Sequence, residues 1–175
     1  RIRLGRSNFR ALKDAKLTKL FYGCRIMMVY VDADACPKPV KNILYRVAER
    51  TQLPIIFVAN TQLPIPRKTK IKMIHVPKGF DVADNYILNQ ISAGDLIITA
   101  DIPLAAEIID AGGHALNPRG ELYTSENIRS KLNIRDFMES IRGSGIHVGG
   151  PPPLSKRDRM TFANALDRFI TKNNF

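Results

Sequence analysis

The sequence predicts a three-layer α/β domain, a parallel sheet of about five strands flanked by helices. Short apolar, β-prone runs recur at residues 28–31, 55–59, 73–76, 96–100 and 114–116. Most are separated by stretches whose apolar residues repeat with a helical period. Strands spaced this way are expected to pair in parallel through right-handed crossovers.

The elements follow in order. The run 28–31 is a buried strand. Pro37 then opens a helix in which Val40, Ile43, Leu44, Val47 and Ala48 line one face. After the second strand, residues 60–70 carry two prolines and several basic residues and read as a loop. The third strand is followed by Asp81, an expected N-cap, and a helix bearing Ile87, Leu88 and Ile91 that Gly94 should stop. The fourth strand leads to Asp101 and Pro103, which start a helix with Leu104, Ala105, Ile108 and Ile109 inward. Two helices are expected over 125–132 and 134–142. A Gly/Pro-rich loop spans 143–153, and Ser155 with Asp158 caps a last helix striped by Phe162, Leu166 and Phe169.

Composition bounds the function. The chain has 175 residues, 45% apolar and 25% charged, a globular balance sized for one domain. No apolar run is long enough to cross a bilayer, so no membrane role is expected. Two cysteines, Cys24 and Cys36, fit a reducing cytoplasm better than a disulfide framework. Of the 27 Lys and Arg and 16 acids, residues 1–26 hold eight and one, so +7 of the net +11 sits there. This basic extension is read as a flexible or non-native tail outside a single domain spanning 27–175, or as an arm for nucleic acid.

In parallel sheets, ligands bind at the carboxyl ends of the strands. Asp32 and Asp34 stand just past the first strand, and Asp101 just past the fourth. If those strands are neighbours, three carboxylates converge at one edge. Like charges packed together need a cation or a proton to relieve them, and an oxygen-rich site suits Mg²⁺ or Mn²⁺. Asp84 offers a fourth carboxylate from the first turn of its helix. Asp81, Asp84 and Asp101 also have a structural reading as helix-terminus acids. Asp95 begins its strand and belongs at the opposite edge. Cys36, His75 and His114 read as structural, whereas His147 lies in a loop that can reach a substrate. Arg67, Lys68, Lys70 and Lys72, and separately Arg119, Arg157 and Arg159, are weaker candidates for phosphate contact.

Several stretches resemble the YaiI/YqxD family of bacterial proteins, themselves similar to PIN-like nuclease domains. They are Val31-Asp32-Ala33-Asp34-Ala35-Cys36-Pro37, Gly79-Phe80-Asp81-Val82-Ala83-Asp84-Asn85, Thr99-Ala100-Asp101-Ile102-Pro103-Leu104-Ala105, Ala115-Leu116-Asn117-Pro118-Arg119-Gly120 and Arg135-Asp136-Phe137-Met138. The PIN-like resemblance implies Mg²⁺- or Mn²⁺-dependent phosphodiester cleavage, usually of RNA. Asp32, Asp84 and Asp101 would match its acidic positions, with Asp34 as an extra acid. Asn117 stands where active PIN nucleases often carry a fourth acid.

Three functions follow as expectations. The first is a metal-dependent nuclease with Asp32, Asp34 and Asp101 at the reacting phosphate. The second is a haloacid-dehalogenase-like phosphatase with Asp32 as nucleophile and Asp34 as acid/base. The third is a non-catalytic module that binds RNA or another partner. No feature of the sequence sets an oligomeric state.

Overall fold

The computed structural model describes residues 27–66, 70–144, 149–150 and 152–173. The basic segment 1–26, Arg67, Lys68 and His147 lie outside the described residues. The chain runs β1 (Val29–Asp32), α1 (Lys38–Thr51), β2 (Ile55–Ala59), β3 (Ile71–His75), α2 (Val82–Gln90), β4 (Leu96–Ile98), α3 (Ile102–Asp110), β5 (His114–Leu116), β6 (Leu122–Tyr123), α4 (Ser125–Gly143) and α5 (Lys156–Lys172).

The six strands form one sheet in the order β3-β2-β1-β4-β5-β6. The first five are parallel. The sixth, which the sequence did not announce, is a two-residue strand running antiparallel to β5. Side chains alternate across the sheet with the period of an extended chain. Val29, Val31, Ile55, Phe57, Leu96 and Ile98 face one cluster, where Val40 and Leu44 of α1 meet Phe162 and Leu166 of α5. Tyr30, Val58, Ile97 and Ala115 face the other, with Ile87 of α2, Leu104 and Ile108 of α3 and Ile128 of α4. Both faces are therefore covered, which is why the central strands read as continuous apolar runs rather than alternating ones. Burying each such Leu, Ile or Phe contributes about 1.5–3 kcal/mol.

The local differences from the sequence reading have physical causes. α4 is one helix of 19 residues instead of two. Asn133 interrupts its apolar pattern without breaking its backbone, since Asn is only mildly unfavourable inside a helix. α2 ends at Gln90 with Ile91 extended, and Gly94 makes the later turn into β4 at φ +86. Asp81 does precede α2, but it adopts a left-handed φ of 54 and its side chain makes no capping hydrogen bond. The last helix starts as expected: the Ser155 hydroxyl accepts from the Asp158 N–H at 3.0 Å, and the Asp158 carboxylate accepts from the Ser155 N–H at 2.8 Å. No helix among the described residues is long and apolar enough to cross a membrane.

Candidate functional site

The chain leaves β1 toward β2 and β3 on one side and places β4 and β5 on the other. After β1 it crosses through α1 on one face of the sheet, and after β4 through α3 on the opposite face. The connections diverge, so a crevice opens between the carboxyl ends of β1 and β4, the place where open α/β sheets bind ligands. Asp32 ends β1 and Asp101 stands three residues past the end of β4, the two strands being paired up to Val31 and Ile98. The sheet thus brings these two acids to the same crevice.

Asp32 is buried, 7% exposed. Its Oδ2 accepts from the Thr99 hydroxyl at 3.3 Å, and that hydroxyl accepts in turn from the Asp101 backbone N–H at 3.0 Å. Thr99, which the sequence reading passed over as part of a strand, therefore links the two acids. Burial raises the Asp32 pKa; hydrogen bonds from the Ala35 backbone and Thr99 oppose this, and the charges of Asp34 and Asp101 reinforce it. Asp101 caps α3, its Oδ1 accepting from the Leu104 N–H at 2.8 Å. The structural reading of Asp101 is thus realised, with one carboxylate oxygen engaged in the cap.

Asp84 reaches the crevice from the first turn of α2. Burial, followed by the charges of Asp32, Asp101, Asp81 and Glu107, pushes its carboxyl up to about 6. Asp34 is placed differently. β1 ends at Asp32 and the chain turns, leaving Asp34 exposed, with its Oδ2 accepting from the Asn60 N–H at 2.7 Å. Asp34 ties the turn after β1 to the turn after β2 while its charge still acts on Asp32.

All of these donors are carboxylate oxygens, the chemistry that suits Mg²⁺ or Mn²⁺. Among the described residues, however, no three His, Cys, Asp or Glu are grouped as a cage for one metal ion. The donor set therefore fits the common Mg²⁺ arrangement, one or two carboxylates completed by waters and substrate phosphate, rather than an all-protein cage.

The other candidates have structural partners or lie apart from the acid cluster. Asp95 lies at the opposite edge, buried, accepting from the Met28 N–H at 3.0 Å and the Ser92 N–H at 2.9 Å. Cys36 is buried, and desolvation pushes its thiol to about 12, an inert state. His114 packs edge-on against Phe169, and burial lowers its pKa. His75 is exposed at the end of β3, and Lys70 and Lys72 are exposed at this edge of the sheet. Arg119 is held by Asp158 at 2.7 Å and by the Pro152 carbonyl, so its guanidinium joins the β5–β6 turn to α5. Arg157 and Arg159 lie in the first turn of that helix. Asn117 donates to the Tyr123 hydroxyl at 2.7 Å and accepts from the Arg119 N–H at 2.8 Å, which makes it a turn-former.

Fold and site together define an α/β protein with an acidic crevice at the switch point of its sheet. The chain belongs to the YaiI/YqxD family: the family model, described as an uncharacterized YaiI/YqxD family, matches residues 30–172. It is 56% identical over 147 residues to a UPF0178 protein of Alkalilimnicola ehrlichii, covering 84% of this chain and 99% of the relative. It is 58% identical over 146 residues to one of Aromatoleum aromaticum, covering 83% and 97%. It is 60% identical over 148 residues to one of Pseudoalteromonas translucida, covering 84% and 98%. No solved structure matches the chain.

Proposed function

We propose that this chain is a divalent-metal-dependent hydrolase that cleaves phosphodiester bonds of RNA. One observation carries the reading. Asp32, Asp84 and Asp101 gather at the switch-point crevice, where burial first and then the charge of Asp101 raise the Asp32 and Asp84 carboxyls above their ordinary values. Such a concentration of negative charge destabilises the empty fold, and a cation relieves it. The PIN-like resemblance points the same way.

The residues divide the work. Asp32, fixed by Thr99, and Asp101, fixed as a cap, present oxygens whose direction is set before substrate arrives. Asp32 with Asp101 or Asp84 would hold the Mg²⁺ or Mn²⁺, which would polarise the phosphate and lower the pKa of an attacking water.

The test is cleavage of a single-stranded RNA by the full chain with Mg²⁺ or Mn²⁺, compared with a chelator. Wild type should cut only with metal. Asp32→Asn and Asp101→Asn should each lose about 100-fold or more, since changing even an outer-shell partner of a metal ligand costs about 10–100-fold. Asp110→Asn, exposed at the far end of α3, should keep full activity. Metal-dependent binding without cleavage in wild type would favour the binding module. A phosphate covalently trapped on Asp32 would favour the phosphatase.

A further inference from the structure

A groove of about 530 Å³ opens between α4 and the carboxyl ends of β4 and β5. Ala100 and Ile102, which flank Asp101 in sequence, form part of its wall, so it adjoins the acidic crevice. Its volume lies in the range of small-molecule sites. Along α4, Lys131, Arg135 and Arg142 follow one another at i, i+4 and i+11, which puts them on one helical face along the groove. Ile102, Ile134 and Met138 give it an apolar floor. Ile134 is 59% exposed, an aliphatic side chain that α4 does not bury.

The cations have weak or no competing partners. Arg135 reaches Glu139 at 3.3 Å and Asp136 at 3.0 Å, and Lys131 reaches Glu121 at 2.7 Å, all with at least one well-exposed side chain. Such surface pairs are worth little and exchange readily for a phosphate. Arg142 pairs with no carboxylate among the described residues. Against these three cations the groove lining carries one acid, Glu139. At the inner end, the Tyr123 hydroxyl accepts from Asn117, which leaves its own proton to donate.

We propose that this groove binds a short segment of a single RNA strand, its successive phosphates on Lys131, Arg135 and Arg142 and a base against Ile102, Ile134 and Met138. The proposal rests on the phosphodiesterase reading for the identity of the strand and adds where that strand lies. The cation row extends about 16 Å along the helix, longer than one phosphate, so it fits a chain of phosphates better than a single anion. The apolar floor distinguishes a base-bearing strand from a purely acidic peptide. A strand seated here would pass Ala100 and Ile102, the residues on either side of Asp101.

The test measures binding of a labelled short single-stranded RNA by fluorescence anisotropy, in chelator, across a salt series, with the full chain throughout. The basic segment 1–26 then contributes equally to every variant. Arg135→Gln/Arg142→Gln should weaken binding several-fold. It should also reduce the slope of log affinity against log salt by about 1.4, roughly 0.7 for each lost phosphate contact. Ile134→Ala should weaken binding with the slope unchanged. Arg168→Gln/Lys172→Gln, on α5 across the sheet, should alter neither quantity. An unchanged slope in the α4 double variant overturns the proposal. So does displacement of the RNA by polyglutamate as effective as by unlabelled RNA of equal charge. Because chelator removes metal, the outcome is separate from the cleavage test. RNA cleavage with an unchanged slope would remove the groove alone, and a reduced slope without cleavage would remove the hydrolase reading alone.

Discussion

At Asp84, the site's electrostatics become measurable. Its folded-state pKa of about 6 exceeds the ordinary value of 3.8 because burial and the charges of Asp32 and Asp101 disfavour its carboxylate. A raised folded pKa contributes stability that is fully present below the unfolded value and is lost as pH rises through the folded one. Metal-free wild type should therefore lose stability between pH 3.8 and about 6, to the extent that Asp84 ionises. Asp84→Asn keeps the shape without the charge. Its melting temperature should exceed that of wild type above about pH 6, and the gap should close as pH falls toward 3.8. A gap that stays constant with pH would mean that Asp84 does not feel this cluster. Thr99 belongs to the same scale. A buried hydroxyl bonded to Asp32 and to the Asp101 backbone cannot be told from an ordinary strand threonine by sequence alone.

At the scale of elements, the turn between β5 and β6 sets how α5 meets the sheet. Gly120 has φ +89, and a Cβ there would stand 2.5 Å from the Phe162 nitrogen and the Thr161 carbonyl carbon. Both the conformation and the close backbone approach require glycine. Gly120→Ala should cost about 1–3 kcal/mol, read as a lowered denaturant midpoint with an unchanged slope. A neutral result would show that α5 can shift away from the turn. The elements were legible where a long periodic pattern fixed them. α1, α3 and α5, the five parallel strands, and the placement of Asp32 and Asp101 at one edge all follow from periodicity and chain order. β6 was not, because two residues carry no period. The groove cations were not either. Lys131, Arg135 and Arg142 look in sequence like any solvated helix face, and only the position of α4 beside β4 and β5 sets them over a cavity.

At the scale of the whole molecule, the switch in strand order is what makes a site from separate acids. Asp32 and Asp101 are 69 residues apart in sequence, yet adjacent parallel strands deliver them to one crevice. The convergence was readable once β1 and β4 were taken as neighbours. Its closeness was not, since Asp34 turns away to bind the Asn60 backbone and no triple cage forms among the described residues. The central claim is that a divalent cation belongs in this crevice. The most direct test is anomalous diffraction at the manganese edge from crystals of the full chain grown with Mn²⁺. A peak is expected within coordination distance, about 2–2.5 Å, of an Asp32 carboxylate oxygen, with Asp101 or Asp84 as a second protein ligand and water completing the sphere. The peak should vanish in Asp32→Asn crystals grown the same way. A crevice without a peak in well-ordered wild-type crystals, or a peak that Asp32→Asn leaves unchanged, would contradict it.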